Sequence, residues 1–374
     1  MDSNIADNLQ QLAVKKILVV HPYLSDGAGG GEEVLLKILE VLIERKQDVY
    51  LLGNLPSGSI FNNLLVSSIK QIPYGSEIVF KPKRFSSHMR LLRHLKLKRA
   101  LCRKIGKMDL EICTQYVACF IGSSKKRVAY IHFPNMTRTQ KSGLKYRWFY
   151  NLFYWPVTFQ LKRQVKKVNL LLCNSHYTQK AIMDYWQRDA ELIYPPVDVE
   201  DFSPAEKEPL VVSIGRFDPD KNYETIAKVA RQMPNVKFVI VGRKSLADPY
   251  YDKIVALKPE NMDLIVDATR VTVSALLSKA KIYLHGMIGE HFGISVGEAM
   301  AAGCIPVVHN SGGPKEIIGN YGFLYSTAEE CVKVIGEALL SNVDPYDIAE
   351  QTKMFSADNF KKNFIAALDR NCLL

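Results

Sequence analysis

The sequence predicts an α/β protein built from two doubly wound domains. Apolar runs typical of buried parallel strands alternate with helical spacing in both halves of the 374-residue chain. A stretch at 194–209 holds four prolines, and the strand–helix pattern restarts after it. A chain of this length can form two domains of ordinary size. We therefore predict a first domain over 1–200, a second over 201–345, and C-terminal helices over 346–374 that could cross back to the first domain.

The first half opens with a strand–helix–strand unit. The run KKILVVHPYL predicts a buried strand over 15–24, and apolar spacing predicts a helix over 32–45 before a strand at 48–53. Further strands are predicted at 128–132 and 170–174. The other predicted helices cover 88–107, 144–167 with a break at Pro156, and a segment from Tyr177 with Ser175 as N-cap.

The second half repeats the pattern as a second doubly wound sheet. Strands are predicted at 210–215, 236–241, 262–266, 282–285 and 305–309. Helices are predicted at 222–233, 272–280, 293–302 and 328–340.

Composition points to a cytoplasmic protein. The seven cysteines are odd in number and form no C-x-x-C, which favours reduced thiols. The first ten residues carry two acids and no apolar core, so they do not resemble a signal peptide. The longest apolar-rich run, 148–161, is interrupted by polar residues and is too short to span a bilayer.

Charge is concentrated in one segment. The chain is +11 overall, but residues 78–183 hold 23 Lys and Arg against two acids, and the remainder is −10. No recognised nucleic-acid module is present, and the acidic remainder argues against wrapping a polyanion, so no nucleic-acid partner is expected. Cations beside aromatic rings are instead typical of a segment on an anionic membrane surface. The candidate membrane residues are Arg90, Arg93, Lys96, Arg99, Trp148 and Trp155. The alternative is that the aromatics are domain core and the cations its solvated rim.

Two loops after predicted strands could face a ligand. The loop that ends in Gly30 and Gly31 spans residues 27–31. It could let an anion or a sugar approach a helix N-terminus, or it could be a simple tight turn. They do not match the dinucleotide fingerprint, because Glu32 takes the third glycine position. In GRFDPDKN, Arg216 and Lys221 lie beside a helix start, where cations gain nothing from the helix dipole and a diphosphate would neutralise them. Solvated surface cations are the alternative.

Three further side chains are candidates. Glu290 falls in the turn after the strand KIYLHG, and Glu298 follows about two helical turns later. Either carboxylate could accept hydrogen bonds from sugar hydroxyls, although Glu298 could equally be a solvated helix residue. His132 ends a predicted strand, where α/β proteins place ligand groups, but a lone histidine is more often structural.

Taken together, these motifs resemble those of the retaining family 4 glycosyltransferases of GT-B fold, in which two Rossmann-like domains face across a cleft. The resemblance rests on GAGGGEE, IGRFDPDKN and GEHFGISVGEAMAAGCIPVVHNSGGPKEII, and it covers about 15–355 in the right order. The family's carboxylate pair, two Glu separated by seven residues, matches Glu290 and Glu298. A narrower resemblance, in AYIHFP, YPPVDV and VVHNSGGP, is to the α-1,2-mannosyltransferases of lipid-linked oligosaccharide assembly.

The resemblance implies a role for each candidate. Arg216 and Lys221 would bind the diphosphate of a nucleotide sugar, and Glu298 its ribose. Glu290, with backbone near Phe292, Gly293 and Ile294, would hold the transferred sugar. Gly30 and Gly31 would let the first domain close on the donor, and His132 would face the reacting sugar. The nucleotide base would lie near residues 268–271, where no clear selector is visible.

The implied reaction is sugar transfer with retention, on the cytoplasmic face of a membrane. The best match is mannose from GDP-mannose passed to a lipid-linked acceptor. The resemblance implies that neither metal nor cofactor is needed, because the leaving charge would be met by Arg216, Lys221 and a helix N-terminus. A UDP-sugar donor with a soluble acceptor and a catalytically inactive binding homologue remain alternatives.

Overall fold

Strands and helices alternate through the chain. The computed structural model describes residues 14–21, 29–53, 67–72, 101–115, 120–134, 159, 161–244 and 249–374. Every strand pair in these residues is parallel, and the strands form two separate sheets. The predicted α/β class is confirmed.

The first sheet has seven strands in the order β3-β2-β1-β4-β5-β6-β7. The strands are β1 (Lys16–Val20), β2 (Asp48–Leu52), β3 (Lys70–Ile72), β4 (Leu110–Cys113), β5 (Arg127–Ile131), β6 (Leu170–Cys173) and β7 (Glu191–Leu192). All four residues of β4 and of β6 are buried, because a parallel sheet covered on both faces has no solvent side.

The second sheet has six strands in the order β10-β9-β8-β11-β12-β13. The strands are β8 (Glu208–Ile214), β9 (Lys237–Gly242), β10 (Met262–Val266), β11 (Ala280–His285), β12 (Ile305–His309) and β13 (Phe323–Tyr325). The chain builds β8, β9 and β10 outward in one direction and then returns to add β11, β12 and β13 on the other side. The order therefore reverses between β8 and β11.

The helices with described bounds are α1 (Gly30–Glu44), α2 (His176–Trp186), α3 (Tyr223–Gln232), α4 (Tyr250–Leu257), α5 (Arg270–Lys279), α6 (Ile294–Ala301), α7 (Pro314–Ile317), α8 (Ala328–Leu340), α9 (Pro345–Gln351) and α10 (Ala357–Arg370). Ser175 caps α2 as predicted, because its hydroxyl accepts the Thr178 N–H at 3.0 Å. Residues 101–105 and 161–165 are also helical, and they agree with parts of the helices predicted over 88–107 and 144–167. Among the described residues, no helix is long and apolar enough to cross a bilayer.

The chain divides into two compact units. The first contains described residues up to Cys173, Ala181–Leu192 and Lys361–Leu374; the second contains Asn174–Lys180 and Ile193–Phe360. The proline-rich stretch at 194–209 packs within the second unit, where Val197 and Phe202 join the apolar core. Lys207 Nζ also donates to the carbonyls of Ser278 at 2.7 Å and Ala302 at 2.6 Å, where helices α5 and α6 end.

Candidate donor site

The second sheet offers a ligand position where its strand order reverses. Loops leaving neighbouring strands part in opposite directions at such a point, and the space between them at the carboxyl edge is where open α/β sheets bind ligands. β8 and β11 are hydrogen-bonded neighbours on either side of this point. The GRFDPDKN loop leaves β8, and the loop containing Glu290 leaves β11. Sequence motifs 69 residues apart, measured from Lys221 to Glu290, therefore meet at one edge.

A short 3-10 turn and close packing around Gly215 place Lys221 at this edge. Residues Pro219–Lys221 form a 3-10 turn that Asp218 caps, and Asn222 follows in the left-handed region with φ 54°. A Cβ at Gly215 would lie 2.9 Å from the Tyr223 hydroxyl and 3.1 Å from Lys221 Cε. Any side chain at position 215 would therefore displace the lysine.

Lys221 and Glu290 form an ion pair. Lys221 Nζ lies 3.0 Å from Glu290 Oε2, and the exposed fractions of the two side chains are 20% and 17%. The other carboxylate oxygen, Oε1, accepts the backbone N–H of His291 at 2.9 Å. Burial by itself would raise the pKa of Glu290, but the polar contact with His285 and the charge of Lys221 outweigh burial and hold that pKa well below its ordinary value. Glu290 is therefore an ionised carboxylate with both oxygens oriented.

Two histidines with lowered pKa values flank this pair. His285, the last residue of β11, is buried, and its Nε2 lies 3.7 Å from Glu290 Oε2. Burial and the nearby Lys221 charge lower the pKa of His285, and burial likewise lowers the pKa of His291. Sequence reasoning missed His285, although its place at the end of the run KIYLHG was a usable signal.

The glycines of SGGP fix the loop that carries Glu290. The Gly313 N–H donates to the Glu290 carbonyl at 2.8 Å. A Cβ at Gly312 would lie 2.2 Å from the Glu290 carbonyl oxygen, and one at Gly313 would lie 2.2 Å from that of His291. Both contacts are with backbone, so a larger residue at either position would push the loop away from Lys221. The packing of backbone on backbone thus sets the position of the carboxylate.

Helix α6 begins directly after this loop. Gly293 takes φ 103°, which favours glycine, and Ile294 is the first helical residue. The Phe292 ring is buried 5.6 Å from the ring of Phe355, so at these positions the backbone rather than the Phe292 side chain is available to a ligand. Glu298 lies one turn into the helix, and its carboxylate is 2.6 Å from Arg270 Nη1.

Arg216 differs from Lys221 in having no counter-charge among the described residues. Its side chain is exposed, and the described part of the chain gives it no hydrogen bond or ion pair. Lys221 already has one anion, Glu290, because the fold joins two motifs that the sequence shows separately. Binding of a diphosphate by both cations stays a prediction. Within the described ranges, no three His, Cys, Asp or Glu side chains are grouped closely enough to hold a metal ion.

The first unit also gathers polar groups at the carboxyl edge of its sheet. His132 Nε2 lies 3.1 Å from the Thr114 carbonyl oxygen, and a Cβ at Gly31 would lie 3.5 Å from that same Nε2. His21 Nδ1 lies 2.6 Å from Thr114 Oγ1. Gly30 and Gly31, which were predicted in the loop, are the first two residues of α1. Gly31 is thus a neighbour of His132 in the first unit, although the two are 101 positions apart in the sequence.

The start of α1 already has an acid. Glu32 Oε2 accepts the Gly29 N–H at 3.1 Å, and Glu33 lies in the same first turn. A carboxylate at this position satisfies the helix N-terminus and repels a phosphate, so the local charge favours the sugar alternative for Gly30 and Gly31. Gly27, Ala28 and the six candidate membrane residues (Arg90, Arg93, Lys96, Arg99, Trp148 and Trp155) lie outside the described residues.

Family models match both halves of the chain. Residues 28–201 match a model described as Glycosyltransferase Family 4, and residues 197–354 match one described as Glycosyl transferases group 1. The chain belongs to the family 4 glycosyltransferases. The motif resemblance is confirmed by models that together cover most of the chain.

Two curated relatives of this family 4 glycosyltransferase carry the same name, "GDP-Man:Man(3)GlcNAc(2)-PP-Dol alpha-1,2-mannosyltransferase". The Dictyostelium discoideum protein is 28% identical over 63% of this chain, and the match covers 57% of that protein's length. The Caenorhabditis elegans protein is 28% identical over 86% of this chain and 83% of its own length. The chain therefore spans little more than half of the first of these relatives.

Solved structures place this family 4 glycosyltransferase in the GT-B fold. Sucrose-phosphate synthase from Thermosynechococcus elongatus superposes with a TM-score of 0.74 at 15% identity, covering 95% of this chain and 98% of that one. The Anabaena protein Alr3699/HepE, solved in complex with UDP and glucose, superposes with a TM-score of 0.68 at 17% identity over 95% and 99% of the two chains. At these identities the likeness concerns the fold, which agrees with the predicted class.

Proposed function

We propose that this family 4 glycosyltransferase moves mannose from GDP-mannose to a lipid-linked saccharide, with retention at the anomeric carbon and without a metal ion. The observation that carries the proposal is the Lys221–Glu290 pair at the strand-order reversal of the second sheet. It combines a cation for a diphosphate with an oriented carboxylate for sugar hydroxyls. Such a combination suits a nucleotide sugar better than it suits a nucleotide or a sugar alone.

The proposed chemistry assigns a role to each group at this edge. The bond from the anomeric carbon to the diphosphate oxygen breaks, an acceptor hydroxyl oxygen takes its place, and the hydroxyl proton passes to the departing diphosphate. Negative charge grows on the departing nucleoside diphosphate, where Lys221, Arg216 and the backbone N–H groups at the start of α6 would meet it. Glu290 would hold the sugar, and Glu298 would hold the ribose. A site that supplies these charges has no need of a metal for the departing phosphate.

The donor and acceptor assignments are supported by relatives. The Dictyostelium and Caenorhabditis proteins carry names that specify GDP-mannose and a dolichol-linked saccharide. The narrower likeness in AYIHFP, YPPVDV and VVHNSGGP points to the same group. We extend both assignments to this chain as part of the proposal.

A panel of donors tests the first half of the proposal. GDP-mannose should raise the melting temperature of the protein more than UDP-sugars do, because it is the donor that the site is proposed to bind. A ligand bound only to the folded state adds about 2.7 kcal/mol to the free energy of unfolding at a hundred times its Kd. Excess chelator should leave both this shift and mannose transfer unchanged. Stabilisation by a UDP-sugar with no response to GDP-mannose would overturn the donor assignment in favour of the UDP-sugar alternative.

The membrane half of the proposal rests on composition. Residues 81–107 hold eleven cations and no acid, and 138–167 add eight cations, with eight aromatics over 146–159. The four cations at 161–167 fall within the described chain, where all four are exposed. Each cation close to an anionic leaflet contributes about 1 kcal/mol within a Debye length, and aromatic rings lie at the acyl boundary. We propose that the first domain docks on the cytoplasmic leaflet and takes a polyprenyl-linked acceptor there.

Vesicle flotation tests this docking. Phosphatidylserine-containing vesicles should float the protein at low salt, and the bound fraction should fall steeply as salt is added. Replacing Trp148 and Trp155 by Ala should remove most of the binding that persists at high salt. Neutral phosphatidylcholine vesicles are the control that shows how much of the binding depends on lipid charge. Failure to bind anionic vesicles at low salt would make a soluble acceptor the better assignment.

A further inference from the structure

Arg270 forms an ion cluster around Glu298. It is the first residue of α5, 28 positions before Glu298, and its guanidinium reaches three carboxylates from two other elements. Nη1 lies 2.6 Å from Glu298 Oε1, Nε lies 3.3 Å from Asp201 Oδ2, and Nη2 lies 3.5 Å from Asp198 Oδ2. One cation therefore orders three acids.

The guanidinium is also fixed from the side. Its carbon lies 4.6 Å from the ring centroid of Phe202, within the range of a cation–π contact. Arginine suits this position because its planar fork can address several carboxylates at once while it stacks on a ring, which an ammonium cannot do. The carboxylates in turn raise the pKa of Arg270 against the effect of burial, which lowers it.

Glu298 is the member of the cluster that depends on this cation most. Only 12% of its side chain is exposed, whereas Asp198 and Asp201 are 36% and 55% exposed and can be solvated. Burial raises the pKa of Glu298; Asp198 and Asp201 add to that rise, and Arg270 opposes it. The Tyr283 hydroxyl of β11 donates to Ser295 Oγ at 2.8 Å and therefore adds no positive charge near Glu298. Among the described residues, Arg270 is the only cation that contacts Glu298.

The contact also leaves one carboxylate oxygen available. Arg270 engages Oε1 end-on, and no described residue donates to Oε2. A carboxylate bonded to Arg270 through one oxygen can accept a hydrogen bond from a hydroxyl group with the other, and charge-assisted hydrogen bonds are about twice as strong as neutral ones. Resting on the proposed function, which assigns the donor ribose to Glu298, we infer that Arg270 is a positioning residue that orients Glu298 toward the ribose hydroxyls of the nucleotide.

Nucleotide titration tests this inference. We expect Arg270→Gln to weaken GDP binding about tenfold, which corresponds to the loss of one charge-assisted hydrogen bond. Binding of 2′,3′-dideoxy-GDP, which lacks the hydroxyls, should hardly change. Arg270→Lys should recover part of the loss and serves as the second variant if Arg270→Gln folds poorly. Arg231→Gln, on the remote helix α3, is the matched control and should bind both nucleotides as wild type does.

Two further readouts separate positioning from a general structural role. In a protein that already carries Glu298→Gln, adding Arg270→Gln should not weaken GDP binding further, because the two residues act as one unit. In Arg270→Gln alone, GDP affinity should fall at a higher pH on acidification than in wild type, because the unopposed carboxyl is protonated at higher pH. Equal losses for GDP and dideoxy-GDP, or additive losses in the double variant, would overturn the inference. Failure of the proposed function looks different, because wild type would then bind neither GDP nor UDP. The inference alone fails when wild type binds GDP but the variants behave as just described.

Discussion

Replacing Lys221 by Ala should reduce mannose transfer by about a hundredfold or more, the loss typical of removing one group that stabilises developing charge. Lys221 Nζ contacts Glu290 in the resting site, and a donor diphosphate arriving at this edge would give it a second anion. Charge on that diphosphate grows as the sugar leaves, so the interaction stabilises the transition state more than the ground state. Binding of free GDP should also weaken, since the product carries the same charge.

The measurement is the initial rate at saturating and limiting donor, together with GDP titration and a melting curve. Lys228→Ala, an exposed lysine on α3, is the matched control and should leave rate, affinity and melting temperature near wild type. Near-wild-type turnover in a folded Lys221→Ala protein would show that the lysine does not serve the leaving group.

Glu290→Gln should also lose about a hundredfold or more in turnover, but with the opposite effect on the product. The amide keeps the shape of the side chain and removes the charge that orients the sugar hydroxyls. It also releases Lys221 from its ion pair, so that the lysine meets GDP without a competing carboxylate. We expect GDP to bind this variant at least as tightly as wild type while transfer is lost.

The split between product affinity and turnover makes the result specific. A generally damaged site would lose both GDP affinity and turnover. Lys221→Ala should also lose both, because the lysine contacts the diphosphate, whereas Glu290→Gln should lose turnover alone. Glu337→Gln, which removes an exposed helix carboxylate 3.9 Å from Lys333 Nζ, is the matched control and should change neither. Weaker GDP binding in Glu290→Gln, or turnover near wild type, would contradict the assignment of Glu290 to the sugar.

Local pattern was sufficient for most of the fold. The strands at 210–215 and 305–309 and the helix over 328–340 were predicted within a residue or two, because each pairs an apolar pattern with clear turn signals. The sequence analysis did not predict strands β3, β4, β7 and β13 or helices α4 and α7. Four residues such as LEIC are too few to show a period, and α4 has only two buried residues to mark a face.

The sequence by itself determined the fold class, the family, and two carboxylates separated by seven residues, since all of these depend on local pattern. Only the tertiary structure decided which charges meet. Lys221 reaches Glu290 because β11 lies next to β8 although β9 and β10 intervene in the chain. Arg270 reaches Glu298, and His132 lies beside Gly31, for the same reason: contacts between distant residues follow strand order and backbone packing, which no local period encodes.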